Sequence, residues 1–420
     1  MADQSAAPAA PLTTADGRPL KAALARAQLQ AKRRAFLLVL PLLAFILVTF
    51  VVPIGQMLHQ SIYNDKFSAN MPRMVAWFEA NPAGTAPDEA AYEALVLDIQ
   101  DAAKARTIGE VGTRVNYEYS GTRSLFTSAG RNFKNFEPPY MDAVLEHDKK
   151  WGEPALWATM RQVAPAYSTN FFLAAVDMTR NENGEIVSVS PDRQIYVTLF
   201  TRTFMMAGLI TVICLILAYP VSHLLATLPL KWSNLLMILV LLPFWTSLLV
   251  RTTSWMVLLQ QQGVVNNTLV ALGIIGEDGR IAMMYNQIGT IVAMTHILLP
   301  FMILPLYSVM RPIPPSYVRA ARSLGATSWT AFRRVYLPQT LPGIGAGSLL
   351  VFILAVGYYI TPALVGGADG QLISNLIAFH MTNSLNWSLA AALAAILLGI
   401  VLVLYWLYDK LVGIDNLKLG

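Results

Sequence analysis

The sequence contains little charge for its length. Only 13% of its 420 residues are Asp, Glu, Lys or Arg, whereas 55% are hydrophobic. In soluble globular domains about a quarter of all residues are charged, so this deficit argues against a chain surrounded by water on all sides. The mean hydropathy of +0.49 points the same way. We therefore expect much of the chain to contact lipid.

Several kinds of chemistry lack the residues that they require. The single cysteine, Cys214, lies inside an apolar run, which excludes an internal disulfide framework. No Gly-Lys pair occurs, so the sequence has no G-x-x-x-x-G-K-[ST] loop for nucleotide phosphates. The five histidines show no metal-ligand spacing, and no Ser-His-Asp or paired-carboxylate constellation stands out. We predict a chain that is not an enzyme and that binds no metal or cofactor itself.

The acidic residues are concentrated in one stretch. Of the 25 Asp and Glu residues, 18 lie between His59 and Arg193, together with 13 of the 30 Lys and Arg residues. The rest of the chain is basic, and its basic residues flank apolar runs. This pattern indicates charges at a membrane surface and gives no support for nucleic-acid binding.

Apolar runs of about 20 residues are long enough to cross a bilayer, where the backbone must be helical because lipid offers it no hydrogen bonds. They predict membrane spans at 35–58, 203–222, 235–257, 287–310, 342–363 and 387–408. The third is the weakest, because Pro243 and Arg251 interrupt it. The first is too long for the apolar part of a signal peptide and no cleavage site follows it, so we expect an uncleaved anchor.

The positions of Lys and Arg predict one orientation for all spans. The N-terminal tail, 1–34, is rich in Lys and Arg and is expected in the cytoplasm, and six spans return the C-terminus to the same side. The loop 311–341 contains five arginines and is also expected in the cytoplasm. Segments 258–286 and 364–386 have one basic residue or none, and are expected outside.

This topology places the segment 59–194 outside the cytoplasm, as a soluble insert between the first two spans. Helix-like spacing occurs at 88–106 and 141–163, and the polar run 181–184 predicts a turn. Frequent aromatic residues are sufficient for a small core. The remaining segment, 195–420, is the predicted five-helix core. In its fifth span, Gly343 and Gly347 form a G-x-x-x-G pattern, which predicts close approach of helices.

The loop 311–341 has the pattern of two helices joined by a glycine. Pro315 or Ser316 would begin the first helix, and Gly325 would supply the left-handed residue that ends it. Thr327 or Ser328 would cap a second helix that stops at Pro338.

The surface of this loop is also distinctive. Ala320 and Ala321 would form a small surface that another backbone can approach closely, and the arginines around it favour an acidic partner or lipid headgroups. An alternative is an interfacial helix pair that only lies on the membrane.

The spacing of Ala320-Ala321, Gly325, Val335 and Leu337-Pro338 resembles the EAA loop in the membrane subunits of bacterial ABC importers. The surrounding sequence is most similar to the spermidine/putrescine permeases, in the stretches Tyr219-Pro220, Pro243-Phe244-Trp245, Arg251-Thr252, Leu341–Ile344 and Pro362–Gly367. The resemblance covers about 195–410 and the first span. It implies an all-α membrane protein of the type I importer kind, with six transmembrane helices and an insert between helices 1 and 2, in the bacterial inner membrane.

The resemblance also implies a mechanism of alternating access. The helix Ser316–Leu324 would dock into a cleft on a dimer of cytoplasmic ATPase subunits, which bind ATP-Mg, and a second, related permease and an extracytoplasmic binding protein would complete the importer. The residues expected at the ATPase contact are Ser316, Arg319, Ala320, Ala321, Leu324, Gly325, Leu337 and Pro338. One position departs from the family pattern, which has Glu where this chain has Arg319. Either the partner has changed charge to match, or the contact made by that position is dispensable.

The translocation path is less well defined by the sequence. Arg251 is a charge within a span, so it either faces the path near Trp245 and Trp255 or extends to the outer headgroups. Tyr358 and Tyr359 are further wall candidates, through cation–π contacts or simply as packing residues.

The substrate follows from the family and from the path residues. The resemblance implies a polyamine or a related small polar amine. However, the spans contain no Asp or Glu except Asp409 at the inner edge, so an opine-like or amino-acid-like solute stays open.

Two other functions deserve comparison with an importer permease. A membrane sensor would need fewer spans and a cytoplasmic output domain. A secondary transporter would need intramembrane carboxylates and an inverted repeat. The sequence shows none of these features, so the importer permease is the leading hypothesis.

Overall fold

A computed structural model describes residues 20–181 and 184–412. The first helical region consists of α1 (Leu20–Ile46), a π-turn at Leu47–Val51 and α2 (Val52–Gln60). The stretch Ala27–Gln60 is long and apolar enough to cross a membrane, as predicted for 35–58. Part of the predicted N-terminal tail, residues 1–19, lies outside the described residues.

The insert is mostly helical. Its elements are α3 (Pro72–Ala80), α4 (Glu89–Lys104), α5 (Ile108–Asn116), α6 (Thr122–Asn132), α7 (Tyr140–His147), α8 (Pro154–Val163), α9 (Asn170–Ala174) and the strands β1 (Met178–Arg180) and β2 (Ile186–Ser188). The two strands pair antiparallel, with Met178 opposite Ser188. A core that includes Trp151, Tyr92 and Phe126 lies between the helices.

Two local predictions for the insert have different outcomes. The helix at 88–106 is confirmed as α4, and the Asp88 side chain caps it by accepting a hydrogen bond from Ala91 N at 2.9 Å. The helix-like spacing at 141–163 corresponds to two helices instead of one. The chain forms α7 and α8 with a 3₁₀ turn between them, because Asp148 caps that turn and Pro154 begins a new helix.

The predicted turn at 181–184 connects β1 to β2. Gly184 N donates to Asn181 O at 2.9 Å, and Asn181 N donates to Glu185 O at 3.0 Å. Residues 182 and 183 lie outside the described residues.

The core follows directly from the insert. Its helices are α10 (Tyr196–Thr227), α11 (Leu230–Leu241), α12 (Leu248–Leu259), α13 (Val264–Ala271), α14 (Gln287–Met310), α15 (Pro315–Ser323), α16 (Ser328–Ala331), α17 (Leu337–Gly357), α18 (Ile360–Val365), α19 (Ile373–Thr382) and α20 (Trp387–Val412). Turns of 3₁₀ helix lie at Leu242–Trp245 and Glu277–Gly279, and a π-turn lies at Phe332–Tyr336.

Helices α10, α14 and α17 pack together at the centre of the core around apolar residues such as Ile210, Leu298 and Val351. The predicted close approach at the G-x-x-x-G pattern is confirmed. A Cβ atom on Gly343 would lie 3.1 Å from Pro305 O, and one on Gly347 would lie 2.7 Å from Met302 Sδ. The two glycines therefore allow α17 to lie close against α14.

The predicted spans agree with the helices in number more closely than in shape. Five helical stretches of the described residues are long and apolar enough to cross a membrane, and the number is six if a bent pair counts as one span. The fourth span has the predicted bounds, and the second and sixth are longer than predicted, as α10 and α20.

The third span, 235–257, is not one helix. Leu230–Trp245 and Leu248–Ala271 meet at an angle of 96°. The break follows from the local sequence, because Pro243 lacks an N–H and the Ser247 side chain caps α12 by accepting from Val250 N at 3.2 Å.

The fifth span, 342–363, is also displaced. The helix runs from Ser328 to Gly357, and the chain then becomes extended at Tyr358 before α18 begins. The two tyrosines predicted as wall residues therefore lie in the break.

The insert packs directly against the core. Phe171 and Ala175 lie in an apolar cluster with Phe200, Ile373 and Leu389. Asp177 caps α10, because its carboxylate accepts hydrogen bonds from the N–H groups of residues 195, 196 and 197 at 2.8–3.1 Å. As a result, the residues from Gln60 onward form one unit.

Candidate functional site

The loop 311–341 ends its first helix in the predicted way. Gly325 has φ +91°, in the left-handed region that glycine adopts without strain. Ala326 N donates to Ala321 O at 3.1 Å, and Gly325 N donates to Arg322 O at 3.0 Å. These two bonds form a Schellman motif, which satisfies the last carbonyls of α15 and turns the chain.

The second half of the loop differs from the prediction. Thr327 caps α16 as expected, by accepting from Thr330 N at 3.2 Å, but the helix does not stop at Pro338. A π-turn at Phe332–Tyr336 precedes the proline, and there Leu337 N donates to Phe332 O. The wider π-turn shifts the pattern of backbone hydrogen bonds just before Pro338, which has no N–H to donate. The helix can therefore pass the proline and continue into α17.

The predicted contact residues differ in exposure. The side chains of Ser316, Arg319, Ala320 and Pro338 are exposed, Gly325 is exposed as well, and Ala321 and Leu337 are half-buried. The predicted joint surface of Ala320 and Ala321 is therefore divided between an outer and an inner face. Leu324, at the tip of the loop, has 89% of its surface exposed. An apolar side chain in that position favours contact with another protein or a membrane.

Side chains that the sequence analysis did not select attach this loop to the bundle. Arg311 Nη1 donates to Ala226 O at 2.6 Å and to Leu228 O at 3.1 Å, at the end of α10. His223 Nδ1 and Tyr336 Oη lie 3.1 Å apart, within hydrogen-bond distance. Tyr219 Oη and Thr340 Oγ1 lie 3.2 Å apart and form a second such contact. Only Arg311 had a sequence signal, as a cation directly after a predicted helix.

The charge of the loop has one sign. Residues 311–341 contain five arginines and no acidic residue. The exposed arginines are Arg319, Arg322, Arg333 and Arg334. Within the described part of the chain, the ion pairs involve other residues. The surface is therefore free to attract an anionic partner.

The structure brings three of the five predicted path residues together. Trp255 Nε1 donates to His296 Nδ1 at 3.0 Å, and Arg251 lies close enough to His296 and Tyr358 to interact electrostatically with both. Arg251 Nε is buried and has no hydrogen-bond partner among the described residues. His296 is not a candidate from the sequence, because nothing in its spacing connects it to Arg251.

The remaining two predicted path residues are more exposed. Trp245 has 74% of its surface exposed and lies at the break of the third span, and Tyr359 has 47% exposed. Beside the cluster, Thr252 Oγ1 and Thr361 Oγ1 lie 3.2 Å apart and are both fully buried. This contact joins α12 to α18, so the broken parts of the third and fifth spans meet next to Arg251.

The fold and the loop together define a helical membrane protein with a basic, glycine-jointed loop. The family model described as "Binding-protein-dependent transport system inner membrane component" matches residues 195–412. The chain belongs to this family. It is a permease component of ABC transport systems and a multi-pass inner-membrane protein, as the loop motif implied.

Curated relatives give the branch of the family. The chain is 36% identical over 222 residues to the spermidine/putrescine transport system permease protein PotB of Haemophilus influenzae, covering 52% of this chain and 77% of that one. It is 37% identical over 222 residues to PotB of Escherichia coli K12, covering 52% and 80%. The family is thus that of the polyamine-type ABC permeases.

The chain is also similar to a solved structure of a bacterial ABC transporter involved in the import of the acidic polysaccharide alginate. The TM-score is 0.46 at 16% identity, over 70% of this chain and 99% of that one.

Proposed function

We propose that this chain is a permease subunit of a binding-protein-dependent ABC importer and that it couples to a separate ATPase through α15. The observation that carries the proposal is the arrangement of the loop 311–341. Its exposed helix ends at a Schellman turn with Leu324 at the tip, and a continuous helix connects it to α17. A push on α15 would therefore reach the centre of the bundle through rigid secondary structure.

The other components of the importer follow from this role. Two cytoplasmic ATPase subunits bind ATP-Mg and supply the energy, and this chain contributes no catalytic residue. A second, related permease completes the path, and an extracytoplasmic binding protein delivers the solute. Both termini lie in the cytoplasm, with the loop 311–341, and the insert lies outside. The five arginines of the loop 311–341 and the Lys and Arg residues of the N-terminal tail support this orientation.

The substrate is a polyamine or a related small polar amine. The names of the relatives support this class, and Trp255 and Tyr358 offer aromatic faces for an ammonium group. The unpaired Nε of Arg251 favours a second candidate, an amine that also bears a carboxylate, such as an amino-acid-like or opine-like solute. The ligand that the cognate binding protein retains on purification separates the two candidates.

The substitution Gly325→Asp tests the coupling role. Asp at φ +91° strains the turn and adds a negative charge to a basic surface, so the ATPase should dissociate or lose its coupling. The tagged full chain is purified from its host, and both the ATPase retained and transport in vesicles are measured. We expect both to be lost.

Gly84→Asp in the insert is the matched control, because Gly84 has φ +85° and open space around it, as Gly325 does. This substitution imposes a similar backbone strain away from the loop, so the variant should still retain the ATPase and transport its solute. Full transport and an intact complex with Gly325→Asp would count against the coupling role.

A further inference from the structure

The exposed side of α15 carries two adjacent positive charges. Arg319 and Arg322 are both exposed and lie three positions apart in the sequence, so they are neighbours on one helix surface. Like charges that are neighbours on a helix surface repel each other. No residue in the loop 311–341 can neutralise them, because the loop contains no Asp or Glu.

The two arginines differ in what the helix itself provides. Arg322 lies in the last turn of α15, where the partial negative charge of the helix C-terminus stabilises a cation. Arg319 lies before that turn and lacks this stabilisation. Its charge is exposed and without an acidic neighbour in the loop, so an anionic group of a partner can approach it. The family pattern has Glu at this position, which would suit a positive group instead.

We propose that the partner that receives α15 presents carboxylate groups opposite Arg319, so that the electrostatic contact is reversed relative to the family pattern. This inference rests on the proposed function and names the partner surface as an acidic cleft of the ATPase subunit. The complementary charges speed association and select the cognate ATPase over one with a basic cleft.

The shape of the surface favours a protein over lipid as the source of the negative charge. Ala320 lies exposed beside Arg319 and leaves room for a backbone to approach, and Leu324 projects with 89% of its surface exposed. A small residue, an apolar tip and a charge on one helix are typical of a helix that inserts into a cleft. Anionic headgroups would bind the exposed arginines of the loop without distinguishing among them.

The experiment compares charge variants of the full chain, purified from its host membranes with the ATPase that it retains. In Arg319→Glu, like charges would face each other in the cleft, and we expect the ATPase retained to fall about tenfold. In Arg319→Gln, we expect an intermediate loss and a weaker dependence of retention on salt. Arg334→Glu is the matched control, because Arg334 is also exposed but lies in the π-turn, and it should stay within about twofold of the unmodified chain.

A second measurement identifies the facing residues. A photo-reactive amino acid at position 320 is cross-linked to the ATPase, and the attachment site is mapped by mass spectrometry. We expect Asp or Glu beside that site. Changing that acidic residue to Lys should restore retention in Arg319→Glu, which a misfolded variant could not do.

The outcomes separate this inference from the function on which it rests. Tighter or unchanged retention in Arg319→Glu, while the unmodified chain holds its ATPase, would overturn the acidic cleft and leave the permease role intact. An equal loss in Arg319→Glu and Arg334→Glu would assign the arginines to lipid headgroups and overturn it as well. Failure of the unmodified chain to retain any ATPase would overturn both.

Discussion

At the scale of single residues, a few glycines set how closely the helices of the core pack. Gly289 lies in the first turn of α14, and a Cβ atom there would be 2.6 Å from Met283 O and 3.1 Å from Val365 O. Both are backbone atoms, which cannot move aside as a flexible side chain can. The glycine therefore allows α14 to pack against the segments on either side of it.

Gly289→Ala should destabilise the protein by about 1–3 kcal/mol, the usual range for overpacking a tight contact. The apparent melting temperature of the detergent-purified chain should fall. The control is Gly208→Ala, because Gly208 lies in α10 with nothing within 4 Å of its Cβ position. In that helix alanine should leave the melting temperature unchanged or raise it. Equal behaviour of the two variants would contradict the packing described for Gly289.

At the scale of elements, two helices break near one another, and hydrogen bonds hold the pieces together. The third span bends by 96°, and the fifth breaks at Tyr358. Thr252 Oγ1 also donates to Leu248 O at 3.0 Å, so the hydroxyl of Thr361 is the donor between the two threonines. Discontinuous helices of this kind form binding sites in many transporters.

Thr252→Val should remove the acceptor for Thr361 and leave that buried hydroxyl unpaired, at a cost of about 1–3 kcal/mol. Thr253→Val is the control at the next residue, because Thr253 is exposed and bonds only to carbonyls of its own helix. The melting temperature and transport of both variants are compared. A loss with Thr252→Val alone supports the link between α12 and α18, and no difference between the variants would contradict it.

The sequence predicted most of these elements, because apolar length and glycine or proline positions act locally. The fourth span and the cap at Gly325 are examples. The sequence did not predict that the helix continues past Pro338. A proline stops a helix only where the hydrogen-bond pattern requires an N–H at that position, and the sequence does not show that pattern. The π-turn removes that requirement, and no residue pattern distinguishes it from a regular turn.

The candidate path shows the same limit. Arg251 was selected because a charge in a span is unusual. His296 and Thr361 could not be selected, because their importance comes from contacts over 41 and 109 residues of sequence, which no local pattern encodes.

At the scale of the whole molecule, the insert and the core are joined at several points. Asn64 Nδ2 donates to Ser388 Oγ at 3.1 Å, Tyr117 Oη donates to Leu385 O at 3.1 Å, and Asp177 caps α10. Because these contacts reach α10 and the start of α20, a movement of either helix would also move the insert. The proposed switch of the bundle and the position of the insert are therefore physically connected.

The proposed coupling requires that the tip of the loop 311–341 faces the cytoplasm. Cys214 is buried and is the only cysteine, so a Cys214→Ser background gives a chain in which one new cysteine can be followed. Leu324→Cys marks the tip of the loop, and Thr85→Cys marks an exposed site in the insert. A membrane-impermeant maleimide is then applied to intact spheroplasts and to inside-out vesicles from which the ATPase has been washed, because a docked ATPase would cover Leu324.

With the loop in the cytoplasm and the insert outside, we expect Leu324→Cys to react only in inside-out vesicles and Thr85→Cys only in spheroplasts. Reaction of Leu324→Cys in intact spheroplasts would contradict a cytoplasmic position of the loop, because a loop on the outer side could not receive work from a cytoplasmic ATPase.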